Sequence, residues 1–307
     1  MKQAPDPDRK PQMPKNNATS AAHNLRGSLW MVAAMAGFAV EDAFIKASGA
    51  TLPVGQILML FGLGGCAVFA VLACLKGERL IVPEVLSPPM RLRVLFEITG
   101  RLFYVLAITL TPLSSATVIL QATPLVVVAS AALVFGERVG WRRWMAIFIG
   151  LAGVLVIIQP GSDSFSALSI LAVIGMLGFA GRDLASRAAP ASLGTSVLGV
   201  YGFASVFVAG ALFGLWEDAS LVRPDPVTAL YICGAVTAGV AAYSSLMIAM
   251  RTGEVSAVTP FRYTRVLFGI TLGVVWFGES LSAAMLLGSG LIVLSGLFIL
   301  WRSKPRA

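Results

Sequence analysis

Charge is scarce in this chain, and histidine and cysteine are scarcer still. Only 12% of the 307 residues are charged, about half the share of an ordinary soluble domain, so a water-facing globule is excluded. The one histidine, His23, precedes the first apolar run, and no HExxH, GxSxG or phosphate-binding glycine loop occurs. Neither a metal nor a cofactor is expected, and an intramembrane enzyme would lack its nucleophile, base or metal set. Cys66, Cys74 and Cys233 fall within apolar runs at spacings that suit neither a disulfide framework nor zinc, and read as small packing residues. No polar stretch is long enough to fold as a separate soluble domain.

What the chain does have is apolar runs of roughly 18 to 23 residues, the length that crosses a hydrocarbon core of about 30 Å at 1.5 Å per residue. Ten are predicted: Leu29 to Ser48, Val54 to Leu75, Val94 to Leu110, Ser115 to Phe135, Trp141 to Ile158, Ala167 to Ala188, Leu193 to Trp216, Val227 to Met250, Val255 to Phe277 and Leu281 to Trp301. The fold class is therefore an all-α integral membrane protein embedded in a lipid bilayer. Residues 1–28, rich in proline and charge, are expected to be a disordered tail without a cleavable signal pattern. Residues 302–307 form a second short tail.

Basic residues set the expected orientation. Seventeen of the 23 lysines and arginines fall on one side if both termini are cytoplasmic, against Arg223 outside and Lys46 at a helix end. The net charge of +8 then reports topology. Its scatter over connections, with no interleaved aromatics, argues against a nucleic-acid partner.

Within the first run lies GFAVEDAFIK, residues 37–46, whose Glu41, Asp42 and Lys46 have no polar face to share. A shift of 141 residues lays this stretch over GFAGRDLASR, residues 178–187, matching Gly, Phe, Ala, Asp and a terminal base. The same shift lays Ser115-Ala116 over Ser256-Ala257 and Thr123 over Thr264. One residue further, Phe135-Gly136-Glu137 lies over Phe277-Gly278-Glu279. The chain reads as two homologous halves, 29–159 and 166–301. Five helices per half, an odd number, force the second half to enter the membrane from the opposite side. Inverted repeats are a transporter architecture, with the solute site near the midplane between the halves. Intramembrane charges cost at least about 2.5 kcal/mol each and are expected to face a bundle interior or a cavity; Asp42, Asp183, Glu41 and Arg182 are the candidate coupling or cavity charges.

On these residues the chain resembles the EamA-type drug/metabolite transporter superfamily. The resemblance rests on the two halves, on the bases Lys46 and Arg187, on the FGE closures at Glu137 and Glu279, and on LQATPLVVVASAALVFGE with Pro124. The ninth helix departs from it: Arg265 or Val266 stands where a proline is expected, with Pro260 earlier. The resemblance implies a ten-helix inverted-repeat carrier of the cell inner membrane that moves a small molecule. VEDAFIK and LSSATVILQATPL are similar to the subgroup near the riboflavin and S-adenosylmethionine carriers, which points to uptake of a vitamin-like solute such as riboflavin. Uptake of an S-adenosylmethionine-like solute, and export of amino acids or drugs, stay open, as do monomeric and homodimeric states.

The remaining polar groups supply candidate solute contacts. Glu97 and Arg101 are four apart on one helical face, continued by Tyr104. They read either as an internal ion pair or as a solute contact, and their repeat mates Ala238 and Ala242 show that the fold does not require them. Arg262 and Arg265 have no acid three or four positions away. They pair with Asp42, Asp183 or Glu97, or, with Tyr263, they hold a polar solute, anionic or planar. Gln121 is the repeat mate of Arg262. A Glu41–Arg182 cross-repeat pair is a further option. Lys46 and Arg187 are expected to snorkel, Glu137 and Glu279 to mark helix ends, and Gly210/Gly214 and Gly269/Gly273 to serve helix packing. The tryptophans at run ends read as an interfacial belt.

Overall fold

The structure, a computed structural model, describes residues 17–134, 140–159, 166–190, 192–252 and 258–302, and every regular element among them is helical. In chain order these are α1 (Asn17–Ser48), α2 (Val54–Leu75), a 3-10 turn (Pro83–Leu86), α3 (Pro88–Leu110), α4 (Leu113–Leu120), α5 (Thr123–Val134) and α6 (Trp141–Ile158). The second half holds α7 (Ser169–Arg187), α8 (Thr195–Glu217), α9 (Pro226–Thr252), a 3-10 turn (Thr259–Tyr263), α10 (Thr264–Phe277) and α11 (Ala283–Arg302). With α4 and α5 as one interrupted crossing, and the second 3-10 turn joined to α10 as another, these make ten membrane crossings.

Six segments are long and apolar enough to span a membrane on their own, among them Val54–Leu75, Leu113–Val134 and Thr195–Glu217. The other four crossings fall short, the fifth and tenth because their apolar stretches are brief and the third and ninth for reasons that matter later. Helix α3 carries Arg91, Arg93, Glu97 and Arg101, and α10 is preceded by a 3-10 turn that contains Pro260. Charge thus shortens the apolar stretch of the third crossing, and an irregular backbone that of the ninth.

Helix α1 starts twelve residues earlier than the apolar run, so residues 17–28, expected in a tail, are helical. Residues 1–16, the FGE closure at Glu137, Ser256-Ala257 and residues 303–307 lie outside the described residues. So does the side chain of Arg187. Helix α3 likewise begins before its apolar run, because Pro88 and Pro89 in the first turn need no amide donors there.

The main helix contacts are α1 with α9, α2 with α8, α3 with α7, α6 with α11, and α4 with α10. Exchanging the halves turns the α1–α9 contact into α7–α3 and leaves the others unchanged. That closure is the signature of a two-fold axis in the membrane plane, as two inverted five-helix repeats require. Close approach depends on small residues: a Cβ at Gly62 would lie 2.4 Å from the Phe207 amide nitrogen, and one at Gly178 would lie 2.5 Å from Gly100. In lipid, where apolar burial drives little association, such backbone contact supplies much of the packing. Gly210 packs against α2, as its GxxxG spacing suggested, while Gly273 has a different neighbour, the Glu279 carboxylate.

Candidate functional site

A cavity of about 760 Å³ opens between the repeats, lined by α1, α3, α4, α5, α7, α8, α9 and the ninth crossing. Its lining runs from Arg93 to Tyr104 on α3, from Phe179 to Ser186 on α7 and from Leu198 to Val206 on α8. These stretches begin near the 76–87 and 188–194 connections, and on α3 the lining extends past the middle of the helix. Helices α6 and α11 contribute nothing to the lining and pack outside it.

One wall holds two acids and two bases. Arg101 Nη1 donates to Glu41 Oε1 at 2.6 Å, and Arg265 Nη2 donates to Asp42 Oδ2 at 2.5 Å. Tyr104 donates its hydroxyl to the same Asp42 oxygen at 2.9 Å. Aromatic faces complete the wall: Arg101 stands 5.0 Å from the Phe61 centroid, and Arg265 stands 5.2 Å from Phe38 and 5.7 Å from Tyr104. Glu41 and Asp42 are adjacent in sequence yet both are buried, which one helical face could not achieve without a partner on each side. Arg101 from α3 and Arg265 from α10 are those partners.

The opposite wall gathers three bases on two acids. Arg182 directs Nε and Nη2 at Asp183 Oδ1, at 3.0 and 2.8 Å, and Nη1 at Glu97 Oε1, at 3.4 Å. Arg93 reaches Glu97 at 3.9 Å and donates Nε to the Ser186 hydroxyl at 3.1 Å. Arg262 lies 3.7 Å from Asp183 Oδ2. Arg182 also covers Phe179, at 4.7 Å from the ring centroid.

Two broken crossings meet between the walls. Pro124 has no amide proton, so the helix breaks at Gln121–Ala122, and the Thr123 hydroxyl takes up the Leu120 carbonyl at 2.5 Å. In the second half the break falls at the 3-10 turn around Pro260, ahead of the Arg265–Val266 position. Gln121 Nε2 donates to the Arg262 carbonyl at 2.7 Å, across a separation of 141 residues. Repeat mates in direct contact must straddle the two-fold axis, so this bond marks it.

At the other end of the bundle the crossings are tied together. Lys46 does not snorkel. Its ammonium donates to the Ile108 and Thr111 carbonyls at 2.9 and 2.6 Å, satisfying the C-terminus of α3, and lies 3.8 Å from Glu279. Glu279 does mark the end of α10, but its carboxylate reaches over to the N-terminus of α4. There it accepts from the Leu113 and Ser114 amides at 2.5 and 2.9 Å and from the Ser114 hydroxyl at 2.6 Å.

Of the sequence candidates, Glu41, Glu97, Arg101, Tyr104, Gln121, Arg182, Asp183, Arg262 and Arg265 line the cavity. Asp42 is fully buried behind Tyr104 and Arg265 and does not reach it. Tyr263 is turned the other way, with its ring packed over Gly296 of α11, because the 3-10 turn directs Arg262 inward and its neighbour outward. Glu97 and Arg101 do not pair: Arg93 and Arg182 serve the acid, and Glu41 serves the base. Nor do Glu41 and Arg182 meet. Arg93 was counted as a connection residue and missed as a site residue. The signal was its spacing, since Arg93, Glu97, Arg101 and Tyr104 fall on one helical face at intervals of four and three. Phe179 and Tyr243, also in the lining, read as ordinary apolar-run residues.

Residues 25–159 and residues 167–301 each match the EamA-like transporter family. The chain is 26% identical over 282 residues to the riboflavin transporter of Rhizobium johnstonii, covering 91% of this chain and 92% of that one. It is 27% identical over 275 residues to the pseudopaline exporter CntI of Pseudomonas aeruginosa, covering 88% and 94%. It is 22% identical over 217 residues to the S-adenosylmethionine uptake transporter of Rickettsia bellii, covering 69% and 72%. A solved crystal structure, 22% identical, superposes with a TM-score of 0.61 over 89% of this chain and 99% of that one, and shares the fold.

Proposed function

Because the chain belongs to the EamA-like transporter family, we propose that it is an inner-membrane carrier that takes up a small polar organic metabolite of vitamin size, with riboflavin the leading candidate. The observation that carries this reading is the cavity of about 760 Å³ whose guanidinium groups and aromatic faces alternate. That volume falls in the range that encloses a drug-sized ligand. Planar guanidinium groups both stack on a flat ring and donate to ring carbonyls, and free amide and carboxylate acceptors suit a hydroxylated chain. Relatives named as riboflavin transporters, a quarter identical over nine-tenths of the chain, support the choice.

Both termini are placed in the cytoplasm, on the strength of seventeen basic residues on that side. The cavity then reaches in from the cytoplasmic side, and the Lys46–Glu279 tie closes the outer end, so this is an inward-facing carrier. Rocking of one repeat against the other would exchange the two accessibilities.

Uptake of labelled riboflavin into proteoliposomes, with and without an imposed pH gradient, tests the proposal. Saturable uptake suppressed by unlabelled riboflavin is expected. Uptake no faster than in protein-free liposomes overturns the flavin reading. Transport of S-adenosylmethionine or an amino acid by the same preparation would then reassign the solute.

A further inference from the structure

The two cavity walls differ in charge. On the first, Glu41 and Asp42 face Arg101 and Arg265 one to one, at hydrogen-bonding distance. On the second, Asp183 and Glu97 face Arg93, Arg182 and Arg262. Among the described residues, five guanidinium groups thus meet four carboxylates. An unmatched charge in a cavity walled by apolar helices is costly unless a counter-charge arrives.

Geometry identifies which base is in surplus. Asp183 Oδ1 and Glu97 Oε1 are engaged by Arg182. Among the described residues Arg262 holds one acidic contact, 3.7 Å from Asp183 and beyond hydrogen-bonding length, and its side chain is the most exposed of the five at 29%. Its backbone is nonetheless fixed, because Gln121 binds its carbonyl across the two-fold axis. On the same wall, Nη1 of Arg93, a residue 4% exposed that lines the cavity, is buried without a hydrogen-bond partner among the described residues, as are Nε of Arg101 and of Arg265 on the other wall. The repeat mates of Arg262 and Arg93 are Gln121 and Gly234, so the inverted symmetry places no base at the corresponding positions of the first wall.

We infer that the cavity is built for an organic anion, a solute bearing a carboxylate or a phosphate, that Arg262 receives the anionic group by leaving its loose contact with Asp183, and that Arg93 donates from beside it. The inference rests on the reading of the cavity as the solute site and replaces neutral riboflavin, as the leading solute, with an anionic compound of the same size class. Arg262 supplies a planar fork that matches either oxyanion with two parallel hydrogen bonds. The rest of the solute lies against the aromatic faces of the cavity.

Two matched pairs of probes separate charge from shape: riboflavin with riboflavin 5′-phosphate, and nicotinamide with nicotinate. Binding to the purified full chain is measured by thermal shift at low ionic strength, with sodium chloride as the simple-anion control. The anionic member of at least one pair is expected to bind about tenfold more tightly than its neutral partner, and the pair that responds distinguishes phosphate from carboxylate. Arg262→Gln should erase that preference, and Arg262→Lys should retain part of it. The wild-type comparison decides the matter even if a variant folds poorly. Equal affinity within both pairs overturns the inference and leaves the carrier site standing, and so does protection by chloride equal to that by the organic anions. Absence of binding by all four probes overturns both. A preference undiminished in Arg262→Gln removes Arg262 as the receiving group.

Discussion

Replacing Glu279 by alanine should loosen the end of the bundle opposite the cavity mouth more than any other single change there. The carboxylate accepts three hydrogen bonds, from the Leu113 amide, the Ser114 amide and the Ser114 hydroxyl, and sits 3.8 Å from the Lys46 ammonium. Hydrogen bonds to a charged acceptor contribute about 1.5 to 3 kcal/mol each. Removing the acceptor from a site only 9% exposed leaves amide donors and a neighbouring ammonium without it, and such breakage costs about 3 to 5 kcal/mol. Lys46 keeps its two carbonyl partners, so the Lys46–Glu279 coupling should be small, below about 1 kcal/mol at that distance. Losses in Lys46→Ala and Glu279→Ala should therefore depart from additivity by less than about 1 kcal/mol, the low end for residues in contact. Reversible unfolding in mixed micelles, applied to both single variants and the double variant, measures each quantity. A Glu279→Ala loss under about 1 kcal/mol would show that the carboxylate is not the cap of α4. A coupling above about 2 kcal/mol would show that the ion pair, rather than the helix termini, holds that end.

Three further outcomes are expected. Asp42→Asn and Asp183→Asn should both slow transport in protein that still inserts; Asp42→Asn should also cost about 3 to 5 kcal/mol, because it leaves Arg265 unpaired at a fully buried site, and wild-type transport in both variants would refute the paired roles. Gly62→Ala should destabilise by about 1 to 3 kcal/mol, since its Cβ would meet the Phe207 backbone, whereas Gly290→Ala, with open space around it, should be tolerated in the same unfolding assay. Asp225 caps α9 through the Thr228 hydroxyl and the Thr228 and Val227 amides. The Thr228 hydrogen bonds, first that of its hydroxyl, hold the Asp225 carboxyl below the usual carboxylate range. Its stabilisation is complete above the unfolded carboxyl value, about 3.9, and is lost as pH falls through the lower folded value. Asp225→Ala should flatten that acid limb of a melting-temperature profile, and an unchanged limb would contradict the cap.

Crossings were legible because hydrocarbon thickness imposes one length on every run, and the repeat was legible because an intramembrane Asp with a base four residues on is rarely shared by chance. Boundaries failed where polar residues continue a helix beyond the apolar run. Residues 17–28 and Pro88 to Arg93 are such cases, since hydropathy measures lipid contact and not backbone hydrogen bonding. Cavity residues were found wherever charge betrayed them. Which charge meets which was not legible: the Glu97–Arg101 spacing suits a pair, but α7 brings Arg182 closer to Glu97 and α1 brings Glu41 to Arg101. Tyr263 failed for a local reason, because a 3-10 turn rotates successive side chains by about 120° where an α-helix rotates them by 100°.

The hydrogen bond between Gln121 and Arg262 sets a limit on any ancestor made of separate halves. Two identical five-helix chains, inserted in opposite senses, would place the same residue on both sides of the axis, so an arginine there would face an arginine and a glutamine a glutamine. Every other charge would also occur twice, and the total could only be even. Five bases against four acids is an odd balance. It requires two halves that differ in sequence, so divergence of the copies is what lets this cavity carry a single unmatched unit of charge.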